Sequence, residues 1–205
     1  MKRSFLLPFL LLPLAGCGSI LTTKTPAPVY YQPEHEPARV DCGKGFDRGV
    51  RVWELSAAHP YNRPEMVVTM PGGEVRFSSA YQWVASPGAM VADELARDLG
   101  TGNLFPLVVS GDNPLVVPLD LTGRVDRFAW VQENGASHAA LTVETSLVET
   151  GVSRKVLFRK VYDLRSGDFA RDNSALFARA MGGLMARLSE ELRRDLCQAA
   201  AGEPR

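Results

Sequence analysis

Along the folded part of the chain the apolar positions change period several times, and each change marks an element. From Gly49 they alternate, with Val50 and Val52 on one side and Arg51 and Trp53 on the other, which predicts a short strand. Pro60 and Pro64 bracket an irregular turn. Residues 65–70 read as a second strand, and Pro71-Gly72-Gly73 connects it tightly to 74–78, predicting a hairpin. After Tyr81, Trp83 and the break at Pro87-Gly88 the period becomes helical. Met90, Val91, Leu95 and Leu99 form the apolar stripe, Gly100 ends it, and Asp93, Glu94, Arg97 and Asp98 are assigned to the outer face. Apolar runs at 104–109 and 114–118 suggest edge strands. Three longer strands follow at 124–133, 139–149 and 154–163, joined by Asn134-Gly135, a strong hairpin signal, and by Thr150-Gly151. In the middle strand Leu141, Val143, Thr145 and Leu147 face one way and Thr142, Glu144 and Ser146 the other. A last helix, capped by Asp172 or Asn173, carries Phe177, Met181, Leu184, Met185, Leu188, Leu192 and Leu196 on one face. Glu190 and Arg194 pair on its exposed side. The pattern gives an α+β fold: a largely antiparallel β-sheet, a meander, with two main helices packed on one face.

The amino-terminal part follows other rules. Met1-Lys2-Arg3 is positive, and 5–14 is an apolar run broken only by Pro8 and Pro13, too short to span a bilayer but of secretory length. Leu14-Ala15-Gly16-Cys17 resembles the bacterial lipobox, so residues 1–16 are expected to be a cleaved lipoprotein signal peptide and Cys17 to carry the lipid. Two or more acyl chains make a stable anchor. Residues 17–48 are read as a lipidated tether, because Pro26, Pro28, Pro33 and Pro37 recur without any helical or alternating period. Val29-Tyr30-Tyr31 is its one apolar cluster, suited to an edge strand or to packing on the domain. The folded domain is then 49–199. Gly18 after the cysteine, in place of an inner-membrane retention aspartate, favours the outer membrane over the inner, with the domain facing the periplasm.

Charge changes the picture little. The chain has 23 basic and 23 acidic residues, and losing Lys2 and Arg3 leaves 21 against 23, a net charge of −2. No basic cluster or aromatic-and-basic stripe argues for nucleic acid. Cysteine is sparse: with Cys17 lipidated, Cys42 and Cys197 remain as an even pair in an oxidising compartment. Both flank the domain, one before its first strand and one at the end of its last helix, and domain termini are often close in space, which makes them a disulfide candidate.

Catalytic signatures are not found. Gly43-Lys44-Gly45 has the wrong spacing for a phosphate-binding loop, and no G-x-S-x-G elbow occurs. His35, His59 and His138 are scattered over tether, turn and hairpin and are read as surface residues, so neither metal nor cofactor is expected beyond the covalent lipid on Cys17. The chain is not expected to be an enzyme.

Taken in order, the residues resemble the ABC-type transport auxiliary lipoprotein family, the group that includes the paraquat-inducible lipoprotein PqiC. The likeness rests on Pro60-Tyr61-Asn62-Arg63-Pro64 before Glu65-Met66-Val67-Val68, on Tyr81-Gln82-Trp83, on Asp93-Glu94-Leu95-Ala96-Arg97-Asp98-Leu99, and on the hairpins and closing helix. The turn lacks the family's leucine after the tyrosine, and Val84-Ala85-Ser86-Pro87 lacks its acidic residue. The resemblance implies an accessory lipoprotein that works with a mammalian-cell-entry (MCE) domain protein and an ABC permease and ATPase, in systems that move lipids or other apolar molecules across the envelope. Membrane contact would be through the lipid anchor, and self-association is left open. The alternatives are a lipid carrier with its own apolar cavity, marked by acyl-sized space between helices and sheet, and a structural or assembly lipoprotein of the envelope. Pro60, Tyr61, Arg63 and Pro64 are partner-binding candidates, since large side chains on an irregular segment are common at interfaces. Trp83 reads as a core aromatic first and a partner contact second.

Overall fold

The computed structural model describes residues 26–37, 41–151 and 154–202. The signal peptide expected at 1–16 and the lipid site expected at Cys17 lie outside these residues. Two long strands form the spine. β7 (Leu119–Glu133) and β8 (Ala136–Glu149) run antiparallel over almost their full length. Asn134 (φ 49°) and Gly135 (φ 80°) both take left-handed conformations between them, as a type I′ turn requires. β8 continues the meander into β9 (Val156–Arg165), and β10 (Phe169–Ala170) pairs with the start of β8. Leu141, Val143, Thr145 and Leu147 are buried, while Thr142, Glu144 and Ser146 are only partly covered, so the alternation of the middle strand is realised.

The other side of β7 is built differently from a meander. Three short strands lie along it in succession, all parallel to it: β2 (Val50–Val52) against 119–121, β3 (Ser56–Ala57) against 124–125, and β4 (Glu65–Thr69) against 129–131. Turn residues cut 50–69 into short pieces that do not form hairpins with one another. Each piece therefore takes its backbone partners from the one long strand with a free side. The sheet is antiparallel in its hairpins and parallel here. β5 (Val75–Trp83) pairs antiparallel with β4 across a turn in which Gly72 and Gly73 have φ of 79° and 85°. β6 (Val108–Ser110) edges β2, and the run 114–118 is not a strand, since Pro114 and Pro118 cannot donate to a ladder.

Both helices lie on one face. α1 (Pro87–Leu99) is capped by Ser86, whose Oγ accepts the Ala89 N–H at 3.3 Å. α2 (Ser174–Gly202) is capped by Asn173, whose Oδ1 accepts the Leu176 N–H at 2.9 Å. The apolar stripes expected for each helix are buried throughout. Between α2 and the sheet sits an aromatic cluster. Trp83 meets Phe128 edge to face at 5.2 Å and Phe177 at 5.3 Å, and Phe177 stacks on Trp130 at 5.2 Å. Among the described residues no helix is long and apolar enough to cross a membrane.

Candidate functional site

The segment 26–37, read from its prolines as tether, lies on the domain as a strap. β1 (Val29–Tyr31) adds a parallel edge strand to β5, which gives Val29-Tyr30-Tyr31 the first of its two expected roles. The strap then follows α2 in the helix's own direction. The Tyr31 hydroxyl and the Ser174 Oγ lie 3.0 Å apart, Pro33 is buried, and the Glu34 backbone rests on Gly182. A Cβ at Gly182 would stand 2.4 Å from the Glu34 carbonyl oxygen, so only glycine lets the strap come this close. Gly182→Ala raises helix propensity by about 1 kcal/mol, yet it should loosen the strap. Hydrogen exchange at the amides of 29–37 is expected to speed up severalfold while exchange in β7 and β8 stays unchanged. Unaltered exchange in the strap would show that it does not need this contact.

At His35 the strap meets α1. The His35 side chain is only 5% exposed, with Nε2 2.7 Å from Asp98 Oδ2 and Nδ1 3.5 Å from Glu94 Oε2. Arg97 closes the cluster by bonding both carboxylates, and its Nη2 also donates to the His35 carbonyl oxygen at 3.3 Å. The reading of His35 as a surface residue, and of Glu94 and Asp98 as the outer face of α1, is thus corrected. The helix periodicity could not show that a distant segment would cover this flank. Burial pushes the Asp98 carboxyl upward, but the hydrogen bond from His35 and the charges of His35 and Arg97 outweigh it, and the group stays below its ordinary value. Glu94 moves the other way, raised chiefly by burial and only partly relieved by Arg97 and His35. One donor atom from each of His35, Glu94 and Asp98 lies within 4.8 Å of the others, a ligand set by type. Arg97 already supplies balancing positive charge between the carboxylates.

Beyond His35 the same flank of α2 continues to hold distant segments. Arg193 is fully buried, and its guanidinium donates to the carbonyl of Asp98 at 3.1 Å, to Thr101 Oγ1 at 3.0 Å and to the Thr101 carbonyl. It thereby satisfies the carboxyl-terminal end of α1, where a cation is favoured by the helix dipole. Cys42 and Cys197 are joined by a disulfide, with Cα atoms 5.4 Å apart. Asn103 flanks the bridge, accepting the Cys42 N–H at 2.9 Å and donating to its carbonyl at 2.7 Å.

The turn at 60–64 divides. Tyr61 is buried in the core, so it is not an exposed partner contact; its N–H donates to the Ala58 carbonyl at 2.6 Å. Arg63 is half-buried with its guanidinium 4.3 Å from the centre of the Phe77 ring, a cation–π contact that spends the side chain within the domain. Pro60 is half-buried and Pro64 exposed. Trp83 is 1% exposed, which makes it a core residue. His59 is exposed, but His138 is buried, with Nδ1 accepting from Arg165 Nη2 at 3.2 Å. Burial and the neighbouring Arg165 charge hold the His138 pKa below its ordinary value. The unfolded chain therefore takes up this proton first, and the contribution of neutral His138 is complete above about pH 6.5 and falls as pH drops below it. His138→Gln should shrink the loss of melting temperature between pH 7.5 and 5.5. An identical loss in both proteins would exclude this role.

The layer between helices and sheet is filled by Trp83, Phe128, Phe177, Met181 and Leu188. The open grooves lie on the outside. One of about 460 Å³ runs between α1 and Trp53, and another of about 360 Å³ borders Phe77 and Trp130.

No family model matches the chain, and no curated protein does. Solved structures do share its fold. Protein XCC0632 from Xanthomonas campestris, assigned to the DUF330 family model, superposes with a TM-score of 0.70 at 16% identity, over 83% of this chain and 96% of that one. An uncharacterized protein gives 0.56 at 14% identity, over 82% and 97%. Hypothetical protein CT253 from Chlamydia trachomatis gives 0.52 at 9% identity, over 77% and 100%. At these identities the likeness is one of fold: the chain has the α+β fold of the Xanthomonas DUF330 protein.

Proposed function

We propose that the chain is a lipid-anchored envelope protein, attached through Cys17 and facing the periplasm, that serves an MCE and ABC-type transport system as an accessory through protein contacts rather than by catalysis. The observation that carries this reading is the order of features at the amino terminus. A positive start, an apolar run of secretory length and Leu14-Ala15-Gly16-Cys17 precede the strap that docks on the domain. The transport role adds to this the resemblance of 50–99 to the opening of the auxiliary lipoproteins, and the outer membrane is favoured by Gly18. The filled layer between helices and sheet gives the lipid-carrier alternative no support.

Lipidation and partnership are tested separately. Cys17→Ala should abolish labelling by radioactive palmitate and release the domain from membranes, because the remaining apolar run is too short to hold it. A labelled variant overturns the anchor. The parent protein, isolated from membranes under mild conditions, should carry with it an MCE-domain protein and an ABC permease encoded beside it. Recovery with secretion or cell-wall assembly components instead would overturn the transport role and leave the anchor standing.

A further inference from the structure

The tip of loop 111–118, which precedes β7, is braced by the Arg51 side chain. From β2, Arg51 donates through Nη1 to the carbonyls of Gly111 at 2.9 Å and Asn113 at 2.7 Å, and through Nη2 to that of Leu115. Asn113 Oδ1 accepts the Leu115 N–H at 3.0 Å, which fixes the loop from within. These bonds do not bury the loop's apolar tip. Leu115 and Val116 remain 52% and 95% exposed, beside Trp53 at 42%. Trp53 lies against Gly111 on one side, with the Arg51 guanidinium 5.2 Å from its ring centre. A charged side chain thus rigidifies an apolar tip in water, the geometry of an interaction site.

The groove of about 460 Å³ opens next to it, floored by Val52, Ala89, Ala92 and Ala96 and rimmed by Glu54, Asp93 and Asp112. Glu54 accepts from Ser86 Oγ and Asp112 from Ser110 Oγ, but among the described residues none of the three carboxylates pairs with a cation. The place of this corner in the fold matters as well. β1 is parallel to β5, β5 antiparallel to β4, and β4 parallel to β7. The chain therefore runs into β1 from the Asn134–Gly135 side, at about the level of Phe128 in β7, and loop 111–118 precedes the far end of β7, about 30 Å further along at the usual rise per strand residue.

We propose that this corner docks an amphipathic helix of a partner protein, with apolar side chains on Trp53, Leu115, Val116 and the groove floor, and Lys or Arg on Glu54, Asp93 and Asp112. The proposal deepens the accessory reading and rests on it only for the partner's being a transport component. The apolar tip and the acidic rim together select a basic amphipathic helix over an acidic one.

Trp53 is its own reporter, because Trp83 and Trp130 are buried. The full chain carrying Cys17→Ala is titrated, without detergent, with an 18-residue helical peptide that has leucines on one face and lysines on the other. Saturable protection of Trp53 from acrylamide quenching is expected, with none from the matching leucine–glutamate peptide. Glu54→Lys with Asp93→Lys should weaken binding of the lysine peptide at least tenfold without changing the melting temperature. Equal protection by both peptides, no protection by either, or undiminished binding to the doubly substituted chain overturns the proposal. So does protection of Trp53 by phosphatidylcholine vesicles or by self-association at rising protein concentration, which would assign the corner to a bilayer or to a second copy. The peptide assay involves no transporter, so the docking site and the accessory reading can fail independently.

Discussion

Trp83→Ala should lower the stability of the domain by about 3 to 5 kcal/mol, the range for deleting a fully buried aromatic side chain. For a domain of this size each kcal/mol moves the melting temperature by about 2 to 4 °C, so a fall of roughly 6 to 20 °C is expected. The magnitude follows from where the indole sits. It is 1% exposed at the end of β5, whose backbone is fixed there by the Trp83 amide donating to the Pro64 carbonyl at 2.7 Å, and it touches Phe128 from β7 and Phe177 from α2. Its removal leaves a cavity at the junction of sheet, helix and strap, because Trp83 is also the register partner of Tyr31 in β1. Trp83→Phe keeps part of the contact and should lose less. Thermal or denaturant melts decide the matter. If Trp83→Ala melts like the parent and instead loses its transport partners, the residue is an interface contact and the assignment to the core is wrong.

How far the sequence reveals this molecule depends on the range over which each signal acts. Periodicity is local, and it locates both helices, the meander and the turn at Asn134-Gly135, as well as the buried positions Leu141 to Leu147 and Phe177 to Leu196. It is silent on which strand a short piece will join, so the parallel run of 50–69 along β7 could not be read from it. The flank of α2 that meets the strap and α1 is the clearest case. Gly182, Ser189, Arg193 and Cys197 recur at spacings of seven and four, which places them on one line beside the apolar stripe. Small and polar residues there look like the margin of a solvated face. They are instead a second face turned inward, where Gly182 lies against Glu34, Arg193 bonds the end of α1 and Cys197 is joined to Cys42. The usable signal was the spacing combined with Cys197, since a cysteine on that line with a partner near the amino terminus already implied that something crosses the helix. Trp53 and loop 111–118 illustrate the converse. Alternation sets Trp53 opposite the buried Val50 and Val52, but the bracing of the loop depends on Arg51 reaching across from β2, and no local pattern encodes that.

The second large effect belongs to the disulfide. Cys42→Ala with Cys197→Ala should lower stability by about 4 to 5 kcal/mol on the chain-entropy account, the upper end of the usual range for one bridge. The loop it closes spans 155 positions, almost the whole domain. Opening it frees the unfolded chain, and a melting temperature lower by roughly 8 to 20 °C is expected under oxidising conditions. The effect should not be uniform. Cys42 is buried and lies just past the strap, while Cys197 is near the end of α2, so without the bridge the strap is held by β1, the Tyr31–Ser174 contact, Pro33, Gly182 and the His35 cluster. Hydrogen exchange in 29–37 and in the last turns of α2 should therefore rise more than exchange in β7 and β8. Adding a reductant to the parent protein should reproduce the doubly substituted variant, and the variant itself should not respond. Two free thiols on the denatured parent protein, or a variant that melts with the parent, would remove the bridge from the account. In that case the strap would be held by its non-covalent contacts alone.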